Sequence, residues 1–247
     1  MKDNFSAHSA QYLQFRPNYP TELFEFLKSL SADFETAWDC GTGNGQLAVC
    51  LANFFDKVYA TDLSEKQIAN AILRDNIVYK TEYAEHSSFE DNQFDLITVA
   101  QAIHWFHFDD FYKEVNRTLK PGGYFAAIGY SLLSIDSELD PIIQNLYYNV
   151  IGKYWDKERK YIDEQYRTIP FPFKEVECPK IKSTLNWSFD QLIGYLNTWS
   201  AVQHYIRQNN ANPVDLVYES LYEKWGNHTI KNVNFPILLR VGQKDTE

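Results

Sequence analysis

The sequence has few sulfur-containing residues and no long hydrophobic run. Its 247 residues include one methionine and three cysteines, Cys40, Cys50 and Cys178, whose odd number and spacing fit neither a disulfide framework nor a metal-ligand set. We therefore expect three reduced thiols. No apolar stretch is long enough to span a bilayer, and the polar start at residues 1–5 lacks the apolar segment of a signal peptide. These absences predict a cytoplasmic protein without a membrane partner.

Positive charge is also scarce. The chain has 23 lysines and arginines against 33 acidic residues, which gives a net charge of −10, and no basic run offsets this excess. Long-range attraction to nucleic acid is therefore disfavoured, and we expect no nucleic-acid partner. The sequence also lacks internal repeats, low-complexity tracts and Gly/Ser linkers, so we predict a single domain over residues 1–247.

Three glycines alternate within one short segment. Residues 38–46 read Trp-Asp-Cys-Gly-Thr-Gly-Asn-Gly-Gln and follow a short apolar strand predicted at 36–40. Because glycine has no Cβ, such a turn can wrap closely around a ligand. Asp62 stands at the end of the next predicted strand, where a carboxylate can accept hydrogen bonds from both hydroxyls of a ribose. The pattern predicts a cofactor that contains adenosine, the alternative being an ordinary tight turn with Asp62 capping the next helix.

The order of predicted elements indicates an α/β fold. Strands alternate with helices through the first half of the chain, and the strands are predicted at 36–40, 57–62, 77–81, 94–100 and 124–130. This alternation implies right-handed crossovers and a doubly wound parallel sheet. In such sheets a ligand binds at the carboxyl ends of the strands.

The second half of the chain follows a mainly helical pattern. Helices are predicted at 139–154, 157–166, 190–208 and 213–225, with extended segments at 173–178, 182–187 and 235–241. We interpret residues 36–130 as a cofactor-binding core and residues 1–35 as an N-terminal lid and helix. Residues 131–173 and 188–227 are interpreted as a helical substrate lid.

The spacing of the glycines distinguishes two classes of cofactor. Nicotinamide and flavin folds use G-x-G-x-x-G around a pyrophosphate, whereas this chain has G-x-G-x-G preceded by Asp39. This form resembles the first motif of the class I S-adenosylmethionine-dependent methyltransferases. The likeness covers residues 36–130 and includes Ala84-Glu85, Phe94-Asp95-Leu96-Ile97 and Lys120-Pro121-Gly122-Gly123. It implies a Rossmann-like, mostly parallel sheet of seven strands with an antiparallel last strand, and S-adenosylmethionine as cofactor.

Three segments beside that core resemble a smaller group, trans-aconitate methyltransferase and similar enzymes of small molecules. They are Arg16-Pro17-Asn18-Tyr19-Pro20, Gln101-Ala102-Ile103-His104-Trp105-Phe106 and Thr198-Trp199-Ser200-Ala201. One position departs from the pattern, because the acid that many relatives have just before Ala84 is Tyr83 here. We therefore expect adenine recognition to rest on Glu85 and backbone groups. The resemblance implies a small-molecule partner, with a carboxylate or a hydroxyl as the methyl acceptor.

The resemblance also assigns roles to individual residues. The residues expected at the cofactor are Tyr12, Arg16, Asp39, Gly41, Thr42, Gly43, Gly45, Asp62, Leu63, Ala84, Glu85, Ala100 and Gln101. Those expected at the reacting methyl group are His104, Trp105 and His204, and those expected to contact the acceptor are Tyr19, Tyr130, Trp199 and Arg207. The acid at position 39 would suit the cofactor's ammonium, directly or through water.

The chemistry of the acceptor decides which of these side chains matter most. A carboxylate is already ionised at neutral pH, so a cation such as Arg207 would contribute more than a base. A hydroxyl or an amine would make His104 or His204 the first candidate for a general base. Orientation of two reactants supplies roughly 7 to 11 kcal/mol, and a general base contributes about 10²- to 10⁴-fold in rate. A missing base is therefore no objection to methyl transfer.

Other readings of the same residues are possible. His104, His107, Asp109 and Asp110 could be imagined as a metal site, but the two acids already have a role at a helix start and no third histidine has ligand spacing, so we predict no metal. An NAD(P)-binding oxidoreductase shares the fold and the aspartate. A non-catalytic protein that binds S-adenosylmethionine to regulate a partner is a third possibility. Methyltransferases of nucleic-acid bases resemble one another in an Asn/Asp-Pro-Pro-aromatic motif, where this chain has Gln101-Ala102-Ile103-His104.

Overall fold

The computed structural model describes residues 17–30, 34–227 and 229–246, so Tyr12 and Arg16 lie outside the described residues. Eight strands form one sheet. They are β1 Thr36–Cys40, β2 Lys57–Asp62, β3 Ile77–Thr81, β4 Phe94–Ala100, β5 Leu119–Tyr130, β6 Lys174–Val176, β7 Lys182–Trp187 and β8 Lys231–Gln243. The α-helices are α1 Thr21–Ser29, α2 Gln46–Leu51, α3 Glu65–Ala69, α4 Phe108–Thr118, α5 Asp140–Gln144, α6 Lys160–Asp163, α7 Phe189–Asn197, α8 Ser200–Asn209 and α9 Asp215–Trp225.

The centre of the sheet is parallel, as predicted. The strand order is β3-β2-β1-β4-β5-β8-β6, and β7 pairs with β8 beside this path. β1 to β5 run parallel to one another, whereas β8 is antiparallel to β5, β6 and β7. The doubly wound, Rossmann-like fold and its antiparallel last strand are thus confirmed, with eight strands instead of seven. The strand order places β1 between β2 and β4, so the turns after these strands emerge side by side.

Alternate residues of the central strands pack on opposite faces of the sheet, as a period of two requires. On one face Ala37 packs with Leu23 and Leu27 of α1 and with residues of α2. On the other face Trp38 packs with a cluster that contains Phe111 of α4. Each of these side chains is at most 2% exposed. Burial on both faces explains why the central strands read as nearly continuous apolar runs.

Strand β5 begins five residues earlier than predicted. The Lys-Pro-Gly-Gly segment at residues 120–123, which lies outside the strand predicted at 124–130, belongs to the strand. The register between β4 and β5 shifts between Phe94 and Leu96, and Gly122 adopts a φ of 77°. A bulge of this kind lets the chain keep pairing while a glycine takes the left-handed conformation.

The helical half of the chain contains shorter elements than its periodicity predicts. The segment predicted as one helix over 190–208 is two helices, α7 and α8, because Trp199 has extended backbone angles (φ −66°, ψ 131°). The segment predicted at 139–154 continues from α5 into a π-helical stretch over Asn145–Val150 and a 3₁₀ turn over Gly152–Tyr154. Together with β7 and part of β8 these helices bury a separate hydrophobic cluster that includes Leu146, Leu192 and Phe235.

Within residues 17–30, 34–227 and 229–246, no helix combines the length and the apolar character that crossing a bilayer requires.

Candidate functional site

A cleft lies at the carboxyl ends of the parallel strands. Its empty volume, counted with its open mouth, is about 1320 Å³. Twelve of the predicted site residues line it: Tyr19, Gly41, Thr42, Gly43, Asp62, Leu63, Ala84, Glu85, Ala100, Gln101, Trp105 and Tyr130. These residues come from segments far apart in sequence and meet because parallel strands end at the same edge of the sheet.

The glycine turn after β1 is tied to the aspartate at the end of β2. The backbone N–H of Gly43 donates to Oδ2 of Asp62 at 2.8 Å, and the N–H of Ser64 donates to Oδ1 at 2.8 Å. These two bonds fix the orientation of the Asp62 carboxylate at the edge of the cleft. A Cβ added to Gly43 would meet no atom of the described residues within 4 Å, whereas one added to Gly41 would lie 2.7 Å from Cβ of Ala102. The turn therefore leaves open space above Gly43.

Asp39 is fully buried beneath this turn and does not line the cleft. The hydroxyl of Thr42 donates to its Oδ2 at 2.5 Å, and the hydroxyl of Thr98 donates to its Oδ1 at 2.9 Å. Burial raises the pKa of Asp39 from 3.8 to about 6, and these hydrogen bonds oppose the rise only in part. Thr42 does line the cleft, so its hydroxyl connects Asp39 to the cleft wall by a hydrogen bond.

The raised pKa of Asp39 predicts a pH-dependent effect of Asp39→Asn. The unfolded chain ionises near pH 3.8 and the folded chain near 6, so the acid destabilises the fold progressively as pH rises from 4 to 6. A shift of this size corresponds to about 3 kcal/mol. We expect Asp39→Asn to be more stable than wild type to urea at pH 7, with the difference vanishing below pH 4. An Asp39→Asn variant that is equally destabilised at both pH values would show that the hydrogen bonds, and not the buried charge, dominate.

The end of the cleft beyond β3 is formed by the segment after Thr81. Glu82, Tyr83, Ala84 and Glu85 all line it, and Tyr83 is 60% exposed. Oε1 of Glu85 accepts the backbone N–H of His107 at 2.9 Å, which fixes this carboxylate. Glu85 was predicted at the cofactor and Glu82 was not, although Glu82 directly follows the parallel strand β3 and its position at the strand end is a signal for the cleft.

Gln101 is strained at the end of β4. Its φ of 56° lies in the left-handed region, which is costly for a residue with a side chain. Its N–H donates to the carbonyl of Ile128 at 2.8 Å, and its Nε2 donates to the carbonyl of Tyr130 at 3.2 Å. Such strain persists only where surrounding contacts hold it, and it is concentrated at functional sites.

A second, smaller cavity adjoins the cleft. It is lined by Gln101, His104, Trp105, Trp155, Asp156, Arg159, Ile162, Tyr195, Trp199 and Ser200. Gln101 and Trp105 line both cavities, so the two are adjacent at these side chains. The structure therefore brings the predicted residues His104 and Trp199 to this second cavity. Trp155, Asp156 and Arg159 were not among the predicted site residues, because a charged segment with helical periodicity is typical of a solvated surface.

Some predicted site residues line neither of these two cavities. Gly45 precedes α2 with a φ of 88°, and a Cβ there would lie 2.1 Å from the hydroxyl of Tyr79. His204 donates from Nδ1 to the carbonyl of Tyr154 at 2.8 Å, since a carbonyl only accepts. Arg207 is exposed on α8.

Two further sets of residues were considered for chemistry, the histidines and acids of residues 104–110 and the three cysteines. Nδ1 of His107 is 2.9 Å from Oδ2 of Asp110, while His104 is buried at the second cavity. The three cysteines are free, and burial raises the pKa of the Cys40 thiol well above its ordinary value. Although Cys40 lines the cleft, it therefore stays protonated and is a poor nucleophile.

Comparisons with known proteins agree with this geometry. Residues 38–127 match the family described as "Methyltransferase domain". The chain is 34% identical to a Dictyostelium discoideum protein named "Putative methyltransferase", over 98% of this chain and 95% of that protein. It is 28% identical to the Saccharomyces cerevisiae "Probable S-adenosylmethionine-dependent methyltransferase CRG1", over 67% of this chain and 59% of that protein.

A solved structure is similar over nearly the whole chain. It is that of a "Putative Type II Methyltransferase" from Anaeromyxobacter dehalogenans, with 37% sequence identity and a TM-score of 0.89, covering 94% of this chain and all of that one. The match extends through the helical half and not only through the sheet. Taken with the cleft, the glycine turn and the strand order, it shows that the chain belongs to the class I S-adenosylmethionine-dependent methyltransferases.

Proposed function

We propose that this enzyme transfers a methyl group from S-adenosylmethionine to a small molecule, with the cofactor in the large cleft and the acceptor beside Gln101 and Trp105. The observation that carries the proposal is the pairing of the Gly43 N–H with the Asp62 carboxylate at the cleft. This pairing places the backbone of a glycine beside a carboxylate. S-adenosylmethionine would use the backbone groups for its amino-acid portion and the carboxylate for its ribose, so the pairing supports a site for this cofactor.

The residues present fit that cofactor. The open space above Gly43 would admit the amino-acid portion close to the backbone, and the two oxygens of Asp62 would accept from the ribose hydroxyls. Ala84 is buried and Glu85 is fixed by the N–H of His107, which supports adenine binding between them and the turn. The cofactor, when bound, supplies a methyl group on a positively charged sulfur.

The protein's contribution to the reaction would be positioning and exclusion of water. Gln101 and Trp105 line both cavities, which supports a role in orienting the acceptor towards the cofactor. Orientation alone can supply roughly 7 to 11 kcal/mol of the barrier. His104 is 6% exposed and lines the second cavity, where it would take a proton from a hydroxyl or amine acceptor. A carboxylate acceptor would not need that step.

The net charge of −10 supports a small-molecule acceptor over a nucleic acid. The resemblance to trans-aconitate methyltransferase stays a prediction, since the relatives reported above do not carry that name. The NAD(P) oxidoreductase reading is not favoured, because the relatives are named as methyltransferases and the glycine spacing differs from the dinucleotide pattern.

Product analysis tests the proposal. Incubation with methyl-labelled S-adenosylmethionine and a metabolite extract should transfer label to a low-mass product. The same extract with Asp62→Ala as the enzyme serves as the negative control. Label found only in nucleic acid or protein, when those are added, would contradict a small-molecule acceptor.

A further inference from the structure

The second cavity contains a partly buried cation whose terminal nitrogens make no hydrogen bond to the described residues. Arg159 lines it, and the Arg159 side chain is only 21% exposed. We propose that the guanidinium of Arg159 anchors a carboxylate group of the methyl acceptor in this cavity. This assignment rests on the proposed function, because an acceptor site has meaning only beside a bound methyl donor.

Aromatic contacts hold the guanidinium in place. Its Cζ lies 4.6 Å from the centre of the Trp155 ring and 5.3 Å from that of the Tyr147 ring. Its Nε donates to the Tyr147 hydroxyl at 2.6 Å, and that hydroxyl donates in turn to Oδ1 of Asp163 at 2.6 Å. Burial raises the pKa of Tyr147 well above its ordinary value, so the hydroxyl keeps the proton that this chain of bonds needs. The cation is thus fixed before any ligand arrives, which reduces the cost of binding.

The other end of the guanidinium has donors to spare. A guanidinium carries five N–H donors, and one of them is used by Tyr147. Among the residues that the structure describes, Nη1 and Nη2 of Arg159 make no hydrogen bond, and Oδ1 of Asp163 lies 3.9 Å from Nε. Burial of a charge without full pairing is costly. Four N–H groups in a planar fork match the two oxygens of a carboxylate in bidentate fashion.

The remaining walls select the kind of anion. The carboxylate of Asp156 lines the same cavity with its side chain 11% exposed, so a dianion such as a phosphate monoester would meet a like charge. Trp155, Trp199 and Tyr195 provide flat apolar walls. The cavity therefore favours a monoanionic carboxylate attached to an apolar or aromatic body.

The anion held by Arg159 is an anchor and not the atom that receives the methyl group. Arg159 lines the second cavity but not the cofactor cleft, whereas Gln101 and Trp105 line both. The methyl-accepting atom therefore belongs at the end of the acceptor nearest those two residues. Arg207, the cation predicted from sequence for this role, is exposed on α8 and lines neither cavity.

Matched pairs of probes test the assignment. Benzoate with benzamide, and hexanoate with hexanamide, differ in charge but little in shape. Their binding can be followed by tryptophan fluorescence in the presence of saturating S-adenosylhomocysteine, because Trp105, Trp155 and Trp199 line the cavity. We expect each carboxylate to bind the wild type at least fivefold more tightly than its amide. Arg159→Gln should reduce this preference to less than twofold, while Arg207→Gln, the matched control, should keep it.

Several outcomes would overturn the assignment. These are an unchanged carboxylate preference in Arg159→Gln, absence of carboxylate binding to the wild type, or tighter binding of phenyl phosphate than of benzoate. If Arg159→Gln does not fold, Arg159→Lys replaces it as the test. Lysine keeps the positive charge but lacks the planar guanidinium, so the difference in binding free energy between carboxylate and amide should fall by at least half. The two proposals fail separately. If the wild type does not bind S-adenosylhomocysteine, the proposed function is contradicted. If it binds S-adenosylhomocysteine but its carboxylate preference does not depend on Arg159, only the anchor is contradicted.

Discussion

Replacing Asp62 by alanine is expected to weaken binding of S-adenosylhomocysteine by at least tenfold. In the structure each oxygen of Asp62 accepts a backbone N–H, and these two bonds hold the carboxylate at the cleft. Hydrogen bonds to a charged group contribute about 1.5 to 3 kcal/mol each, and about 1.4 kcal/mol corresponds to a factor of ten. Loss of even one ribose contact therefore accounts for the expected effect.

Two further variants separate contact with the ligand from damage to the turn. Asp56→Ala removes an exposed acid just before the start of the same strand, at the edge opposite the cleft, and should leave the affinity unchanged. Asp62→Asn keeps one acceptor oxygen and should fall between wild type and Asp62→Ala. Calorimetric titration gives the three affinities, and equal affinity of Asp62→Ala and wild type would count heavily against a cofactor site at this cleft.

Alanine at Gly43 and at Gly45 should have opposite consequences, although both glycines belong to the same turn. A Cβ at Gly43 meets open space, so Gly43→Ala should cost the fold only about 1 kcal/mol for its left-handed backbone. It should weaken binding of S-adenosylhomocysteine by about 30-fold, because the methyl group fills space that the ligand needs and overpacking costs about 1 to 3 kcal/mol.

Gly45→Ala should instead act on stability. Its Cβ would lie 2.1 Å from the hydroxyl of Tyr79, which donates to the carbonyl of Ile72 at 2.8 Å, so Tyr79 must move and lose that bond. Adding backbone strain to overpacking gives a loss of about 3 kcal/mol in the free energy of unfolding. Urea unfolding and calorimetric titration together distinguish the two variants. A Gly43→Ala protein that binds as wild type does would show that no ligand approaches the turn there.

The parallel core could be predicted from the sequence because its strands carry strong local signals. Phe94–Ala100 is nearly all apolar because the strand is covered on both faces. In the turn after β1, the three alternating glycines themselves indicate that the backbone is closely approached by other atoms. The positions of Gly41 and Asp62 at one edge then follow from the rule that parallel strands end together. This is why most of the residues predicted at the cofactor line the cleft.

The second cavity could not be predicted in the same way. Half of its lining comes from the segment of Trp155 to Arg159 and from the break between α7 and α8, where Trp199 leaves the helical conformation. Helical periodicity continues through Trp199, so the pattern gives no sign of the break. Arg159 lies in a charged run that resembles a solvated helix, and only its packing against Trp155 and Tyr147 shows that it is partly buried. Such contacts depend on tertiary structure.

Calorimetric titration of the wild-type protein with S-adenosylhomocysteine, beside a parallel titration with NAD, tests the central claim most directly. We predict saturable binding of one S-adenosylhomocysteine per chain and no binding of NAD, with the affinity reduced in Asp62→Ala and retained in Asp56→Ala. Binding of NAD without binding of S-adenosylhomocysteine would contradict the account.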